Sequence, residues 1–294
     1  RSPSRGLGDV YKRQRKNKLD YIFITAPENV AWVLNIRGND NPTSPIPNSN
    51  LIISKNNKKF IISNRSKLKK LIKEKKIDIK EIIEPKNIKT LLKKLNGKNI
   101  SLDSKSCSYY YEQILSKKLK IIKKDDPIYL LKSIKNKTEI NNMIESHIAD
   151  GVALTKFIYW IKNVNTKKIT EVDAQNKLEK FRKQNKNYLF PSFNNIAGSG
   201  KNGEIVHYRA TVNNTKYIHK NEIFLCDSGG QYKYGTTDVT RTICFDKCNL
   251  NIKKIFTYVL KGHIAVANTN LQKTNIGKKI DIAARKYLKK NGLD

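Results

Sequence analysis

Residues 222–245, EIFLCDSGGQYKYGTTDVTRTICF, hold two β-type runs joined by a glycine-bearing connection from Gly229 to Gly235. That pattern predicts a hairpin with a long or bulged turn. Side chains alternate across a strand, so Ile223, Leu225 and Asp227 share one face, while Thr236, Asp238, Thr240 and Thr242 share one face of the partner. A hairpin then brings Asp227 and Asp238 to the same side of the sheet. Two carboxylates meeting at the end of an apolar strand repel, and burying either without a partner costs several kcal/mol. A divalent cation with a preference for oxygen, such as Mn, Mg or Co, relieves both costs, and one carboxylate can bridge two such ions. The competing account makes both aspartates turn residues facing water, as Asp beside Gly commonly is. Asp227 weighs against it, because it directly follows the apolar run from Ile223 to Cys226.

Upstream, residues 198–203 read GSGKNG and satisfy the GxGxxG spacing of a dinucleotide loop. The EIVHY that follows reads as strand, whereas a dinucleotide loop follows a strand and opens a helix; a turn is the expected structure. Residues 136–162 place Ile140, Met143, Ile144, His147, Ile148, Val152, Leu154, Phe157, Ile158 and Ile161 on one stripe at helical spacing. A long packed helix follows, with His147 a core-edge histidine. TEVD at 170–173 offers a hydroxyl cap with an acidic residue three positions on, predicting a helix to about Gln184. Helical patterns return at 252–269 and 277–290, so an α+β layer structure is expected from residue 127 onward.

Before Asp126-Pro127 the pattern differs. YIFIT at 21–25, AWVLNI at 31–36, LIIS at 51–54 and FIIS at 60–63 read as short strands, the last two flanking KNNKK as a hairpin. Lys-rich segments at 66–76 and 88–96 carry Leu and Ile at helical spacing. Strands alternating with such helices predict an α/β domain over 15–126. Residues 1–14, RSPSRGLGDVYKRQ, lack the Ile and Asn that fill the rest, and read as a linker or foreign segment to be set aside from the fold.

A chain of 294 residues can bury two cores, and no apolar run reaches bilayer length. The formal net charge of +34, from 59 Lys and Arg against 25 Asp and Glu, would draw polyanions. Lys, Ile and Asn rise together along the whole length without clustering, however, so nucleic acid is not an expected partner. Cysteines stand at 107, 226, 244 and 248, with no signal-peptide pattern and no second Cys or His pair at zinc-site spacing. Free thiols in a reducing cytoplasm are the expectation.

DSGGQYKYGTTDVTRT at 227–242 resembles the signature of aminopeptidase P, the Xaa-Pro aminopeptidase branch of the pita-bread metallopeptidases. AWVLNIRG at 31–38, DPIYLLKSIKNKTEI at 126–140, GSGKNGEIVHY at 198–208 and FTYVLKGHIAVA at 256–267 extend the match along the chain. The resemblance implies a creatinase-like α/β domain over 15–126, followed by a truncated α+β pita-bread catalytic domain over 127–294. The family's first domain is then absent. It implies two divalent metal ions, manganese first among them, with Asp227 on one ion and Asp238 bridging both. His207 would line the substrate site and assist proton movement. One His and two Glu ligands are expected beyond Asp294, so the chain as it stands is expected to hold metal weakly and to be inactive. The complete enzyme would use a hydroxide shared by the metals to release the residue before proline, as a homodimer acting on peptides with proline second. Tyr234 replaces the family's usual acidic residue and Gly230 its frequent Ala, and neither position is a metal ligand. A non-catalytic pita-bread binding module would suit the positive charge, but the retained Asp227 and Asp238 argue against it. Prolidase and methionine aminopeptidase share the aspartate pair; GTTDVTRT and the preceding creatinase-like domain favour aminopeptidase P.

Overall fold

A computed structural model of the chain describes residues 5–245, 248–272 and 276–293. It divides into two compact units, one of residues 1–152 with 182–194 and 229–238, the other of 153–181, 195–228 and 239–294. Along the first part run α1 (Arg5–Lys16), β1 (Tyr21–Ile24), α2 (Pro27–Leu34), β2 (Asn50–Ser54), β3 (Lys59–Ile62), α3 (Arg65–Lys73), β4 (Ile82–Ile83), α4 (Ile88–Lys94), β5 (Asn99–Leu102), α5 (Tyr109–Ser116), β6 (Lys120–Lys123) and α6 (Pro127–Ser133). Then come α7 (Lys137–Asn163), α8 (Glu171–Arg182), β7 (Tyr188–Pro191), β8 (Ile196–Ser199), β9 (Phe224–Ser228), β10 (Gly230–Tyr232), β11 (Gly235–Thr236), β12 (Val239–Ile243), α9 (Leu250–Ala267) and α10 (Gly277–Lys289).

The first unit is built on a six-stranded mixed sheet in the order β4-β3-β2-β1-β5-β6. Its inner strands are apolar on both faces because helices cover both. Ile22, Ile24, Leu51, Ile53 and Ile61 enter one core, and Tyr21, Phe23, Ile52 and Ile62 enter the other. The alternation of a strand sends neighbours to opposite sides. The hairpin read from LIIS and FIIS is β2 and β3, antiparallel with Ile52 opposite Phe60.

Two readings of this unit change. AWVLNI lies largely in α2, not in a strand: Pro27 supplies the fixed φ of a first helical turn, and Asn35 closes the helix in the left-handed region at φ 50°. Of residues 1–14, set aside for their composition, 5–14 belong to α1 (Arg5–Lys16), in which Val10 is fully buried. Gln14 Nε2 donates to the carbonyls of Asp20 and Ile53, so a polar side chain helps seat this helix.

The first turns of α7 also depart from expectation. Ile144 and Ile148 are 54% and 63% exposed while Ser146 and Asp150 are fully buried. The inward polar face is explained by Arg182, whose guanidinium donates to both oxygens of Asp150 at 2.7 and 3.1 Å. The Tyr232 hydroxyl donates to the same carboxylate at 2.9 Å. Burying an ion pair costs less when such extra hydrogen bonds accompany it. His147 is exposed, its Nδ1 2.9 Å from the Met143 carbonyl oxygen, and is not a core-edge residue.

In the second unit, the last turns of α7 do pack as the stripe predicts. Leu154, Phe157 and Ile161 meet Leu178 of α8 and Phe224, Cys226 and Ile243 of the three-stranded sheet β12-β9-β8. α8 opens with the expected box: Thr170 Oγ1 accepts from Asp173 N, and Asp173 Oδ2 accepts from Thr170 N. IVHY, read as strand, is irregular chain after a short 3₁₀ turn at Gly200–Glu204. That turn confirms the glycine cluster as chain reversal, with Gly200 at φ 58°. Cys244 and Cys248 form a disulfide, where free thiols were expected; their Cα atoms lie 6.3 Å apart, within the reach of a bridge. Among the described residues no helix is long and apolar enough to cross a membrane.

Candidate metal centre

Asp227 is the fourth residue of β9, the middle strand of its sheet. Its Cα partners are Thr240 on β12 and Ile196 on β8, both antiparallel. Leu225 stands opposite Thr242, so Leu225, Asp227, Thr240 and Thr242 share one face, whereas Thr236, expected with them, belongs to β11 of a different sheet. The other face of β9, Phe224 and Cys226, is the one buried in the core with Phe157 and Leu178. Local alternation thus turns Asp227 away from that core. Asp238 directly precedes β12 and is exposed.

The connection between the two runs is not a simple bulged turn. β10 pairs with β11 and also with β7, forming a separate small sheet in the first unit. Where the chain leaves β9, close packing at position 229 requires glycine. A Cβ there would collide with the Thr237 carbonyl oxygen and Ser192 Oγ.

The Asp227 carboxylate is incompletely satisfied by the protein. Its Oδ1 is buried and has no hydrogen-bond partner. A buried, unpartnered carboxylate oxygen costs on the order of 1–3 kcal/mol or more. Protein donors are spent on a different carboxylate. Glu171, at the start of α8, is fully buried and accepts from Ser199 N at 2.8 Å, Asn202 Nδ2 at 3.0 Å, Tyr208 Oη at 2.8 Å and Lys216 N at 3.0 Å. Burial, reinforced by that bond to Glu171, pushes the Tyr208 hydroxyl up to about 12.

Tyr208 in turn packs with Ile196, Ala210, Val172 and Leu225. Ile196 and Leu225 are the neighbours of Asp227 on its sheet face. The chain from 199 to 217 therefore covers that face, and it carries His207. His207 is exposed and holds φ 58°, a left-handed conformation that costs a non-glycine residue about 1–2 kcal/mol. Glu222 braces the same loop, accepting from Lys216 Nζ and Ser199 Oγ. The Lys216 ammonium holds its carboxyl below the usual glutamate range. Glu171 and Tyr208 were not legible as site residues. Their only sequence signals were an acidic residue after the capping Thr170 and an aromatic after His207.

Residues 141–294 match the model of metallopeptidase family M24, and residues 2–139 match that of the creatinase/prolidase N-terminal domain. The chain belongs to metallopeptidase family M24. It is 36% identical over 305 residues to a probable Xaa-Pro aminopeptidase P of Paracoccidioides brasiliensis, covering 98% of this chain and 49% of that protein. It is 35% identical over 293 residues to the Xaa-Pro aminopeptidase ApepP of Drosophila melanogaster, covering 97% and 48%. The chain thus spans about half the length of the curated M24 relatives it matches. Among solved structures it resembles an X-prolyl aminopeptidase from Caenorhabditis elegans, described as a cytosolic enzyme with a di-nuclear active site. The TM-score is 0.85 at 24% identity, over 100% of this chain and 49% of that one. An X-Pro aminopeptidase from Thermotoga maritima gives 0.78 at 19% identity, over 97% and 77%. These likenesses establish the fold, a creatinase-like α/β domain followed by an α+β pita-bread domain of the M24 type.

Among the described residues no three His, Cys, Asp or Glu side chains converge as a metal site. The fit of a cation therefore rests on Asp227. A buried carboxylate oxygen without a donor, on the face of β9 that turns away from the Phe224 and Cys226 core, is the environment that a hard cation satisfies.

Proposed function

We propose that the product of this coding sequence is a dinuclear metallo-aminopeptidase that releases the N-terminal residue from peptides with proline in second position. The observation that carries this reading is the buried, unpartnered Oδ1 of Asp227. Support comes from the M24 match and from relatives named Xaa-Pro aminopeptidase P.

Asp227 would hold one of two divalent ions, manganese being our choice, and Asp238 would bridge them. When bound, such an ion pair supplies a water acidic enough to ionise near neutrality and a positive charge for the oxygen of the scissile carbonyl. His207 would hold or pass a proton at its imidazole beside that carbonyl. Proline makes the scissile bond a tertiary amide without an N–H, and an apolar slot can recognise its ring. One His and two Glu ligands would complete the site, so the 294 residues alone should turn over poorly. The protein would act as a homodimer in the cytoplasm, in keeping with the C. elegans relative described as cytosolic. We place the domain junction at Asp126-Pro127, where Asp126 Oδ1 caps the incoming helix by accepting from Ile128 N.

The test is an assay of the full coding product on a Xaa-Pro peptide, with and without Mn and with Asp238→Asn. Cleavage that needs Mn and is lost in Asp238→Asn is expected; cleavage indifferent to both sinks the reading. A prolidase-type preference would show as cleavage confined to dipeptides.

A further inference from the structure

We propose, building on that function, that Glu171 is the positioning residue that sets His207 over the metal-binding face of β9. Glu171 is the first residue of α8, yet it does not act as a solvated acid that merely complements the helix dipole. Asp173 already caps the helix through Thr170, and Glu171 is fully buried. Its two oxygens instead gather four groups of one loop: Ser199 N at the loop's start, Asn202 and Tyr208 in its middle, and Lys216 N at its end. A carboxylate that collects donors this widely spaced fixes the loop as a closed ring of chain.

The ring is tied to the reacting face through Tyr208. Its hydroxyl donates to Glu171 Oε2, and its body packs with Ile196 and Leu225, which flank Asp227 on the sheet. His207 is the residue before Tyr208 and stands in a left-handed conformation that the chain would not choose alone. The clamp holds that conformation in place. A proton-moving imidazole must stand within hydrogen-bond reach of its partner, so a loosened loop lowers turnover more than it lowers binding.

The experiment has two arms. In the 294-residue chain, Glu171→Gln should accelerate amide hydrogen exchange across residues 199–217 by about tenfold while β9 keeps its protection. In the full coding product with Mn, the same variant should lower kcat on a Xaa-Pro peptide by about tenfold, with KM within about twofold. In a His207→Ala background Glu171→Gln should then cost nothing further, because both changes remove one function. An equal loss with and without His207 would overturn the proposal, as would unchanged exchange in the loop. Should the unmodified enzyme cleave no Xaa-Pro peptide, the functional reading falls separately. The exchange arm then decides alone whether Glu171 anchors the loop.

Discussion

Two carboxylates of the second unit stand in opposite circumstances. Glu171 is fully buried and surrounded by donors from residues 199–216, whereas Asp227 Oδ1 is buried with none. Both lie in the same small layer, joined through Tyr208 and Leu225. The difference teaches how to separate a carboxylate that holds the fold from one that awaits something outside the chain. The first has its lone pairs filled by the protein, and the second keeps one that no protein donor fills.

The largest effect should come from deleting the satisfied group. Glu171→Ala leaves two backbone amides, an amide side chain and a phenol without their acceptor, and should destabilise the chain by about 3–5 kcal/mol in a denaturant titration. A loss below about 1 kcal/mol would break the contrast. Removing a single donor sharpens it: Tyr208→Phe should cost about 1 kcal/mol by the same measurement. Asp227→Ala should cost less than about 1 kcal/mol in the absence of metal, or raise stability, because no hydrogen bond to Oδ1 is lost. It should also abolish any rise in melting temperature that Mn produces in the unaltered chain.

The smallest effect is a pH dependence. Glu222 is depressed by the Lys216 ammonium, so its folded-state pKa lies below the 4.5 of an ordinary glutamate. Its stabilisation of the loop is therefore present above pH 4.5 and is lost as pH falls through the depressed value. Hydrogen exchange at residues 199–217, corrected for the intrinsic pH dependence, should show protection falling over that window. Glu222→Gln should flatten the trend.

The sequence made some of this contrast visible and hid the rest. Alternation along IFLCDS and TTDVTRT placed Asp227 and Thr240 on one face, because the period of a strand survives whatever the turn between runs does. The TEVD cap was equally legible, since both partners lie within one helical turn. The turn itself was not, because the pairing of β10 with β7 and the crowding at Gly229 are tertiary contacts. Glu171 looked like any acid in a first helical turn. Only a loop returning from residues 199 to 216 buries it. In a chain with 59 Lys and Arg, nothing marked Arg182 as the one that goes inside with Asp150. AWVLNI reads as a strand until the Pro27 start and Asn35 stop of α2 are weighed together.

The central claim is that Asp227 Oδ1 awaits a metal. Crystals soaked in manganese chloride and measured at the manganese absorption edge test it directly. We expect an anomalous peak about 2.2 Å from Asp227 Oδ1, with Asp238 turned toward the same ion. Manganese found elsewhere, with that oxygen accepting a hydrogen bond from a protein donor, would contradict it.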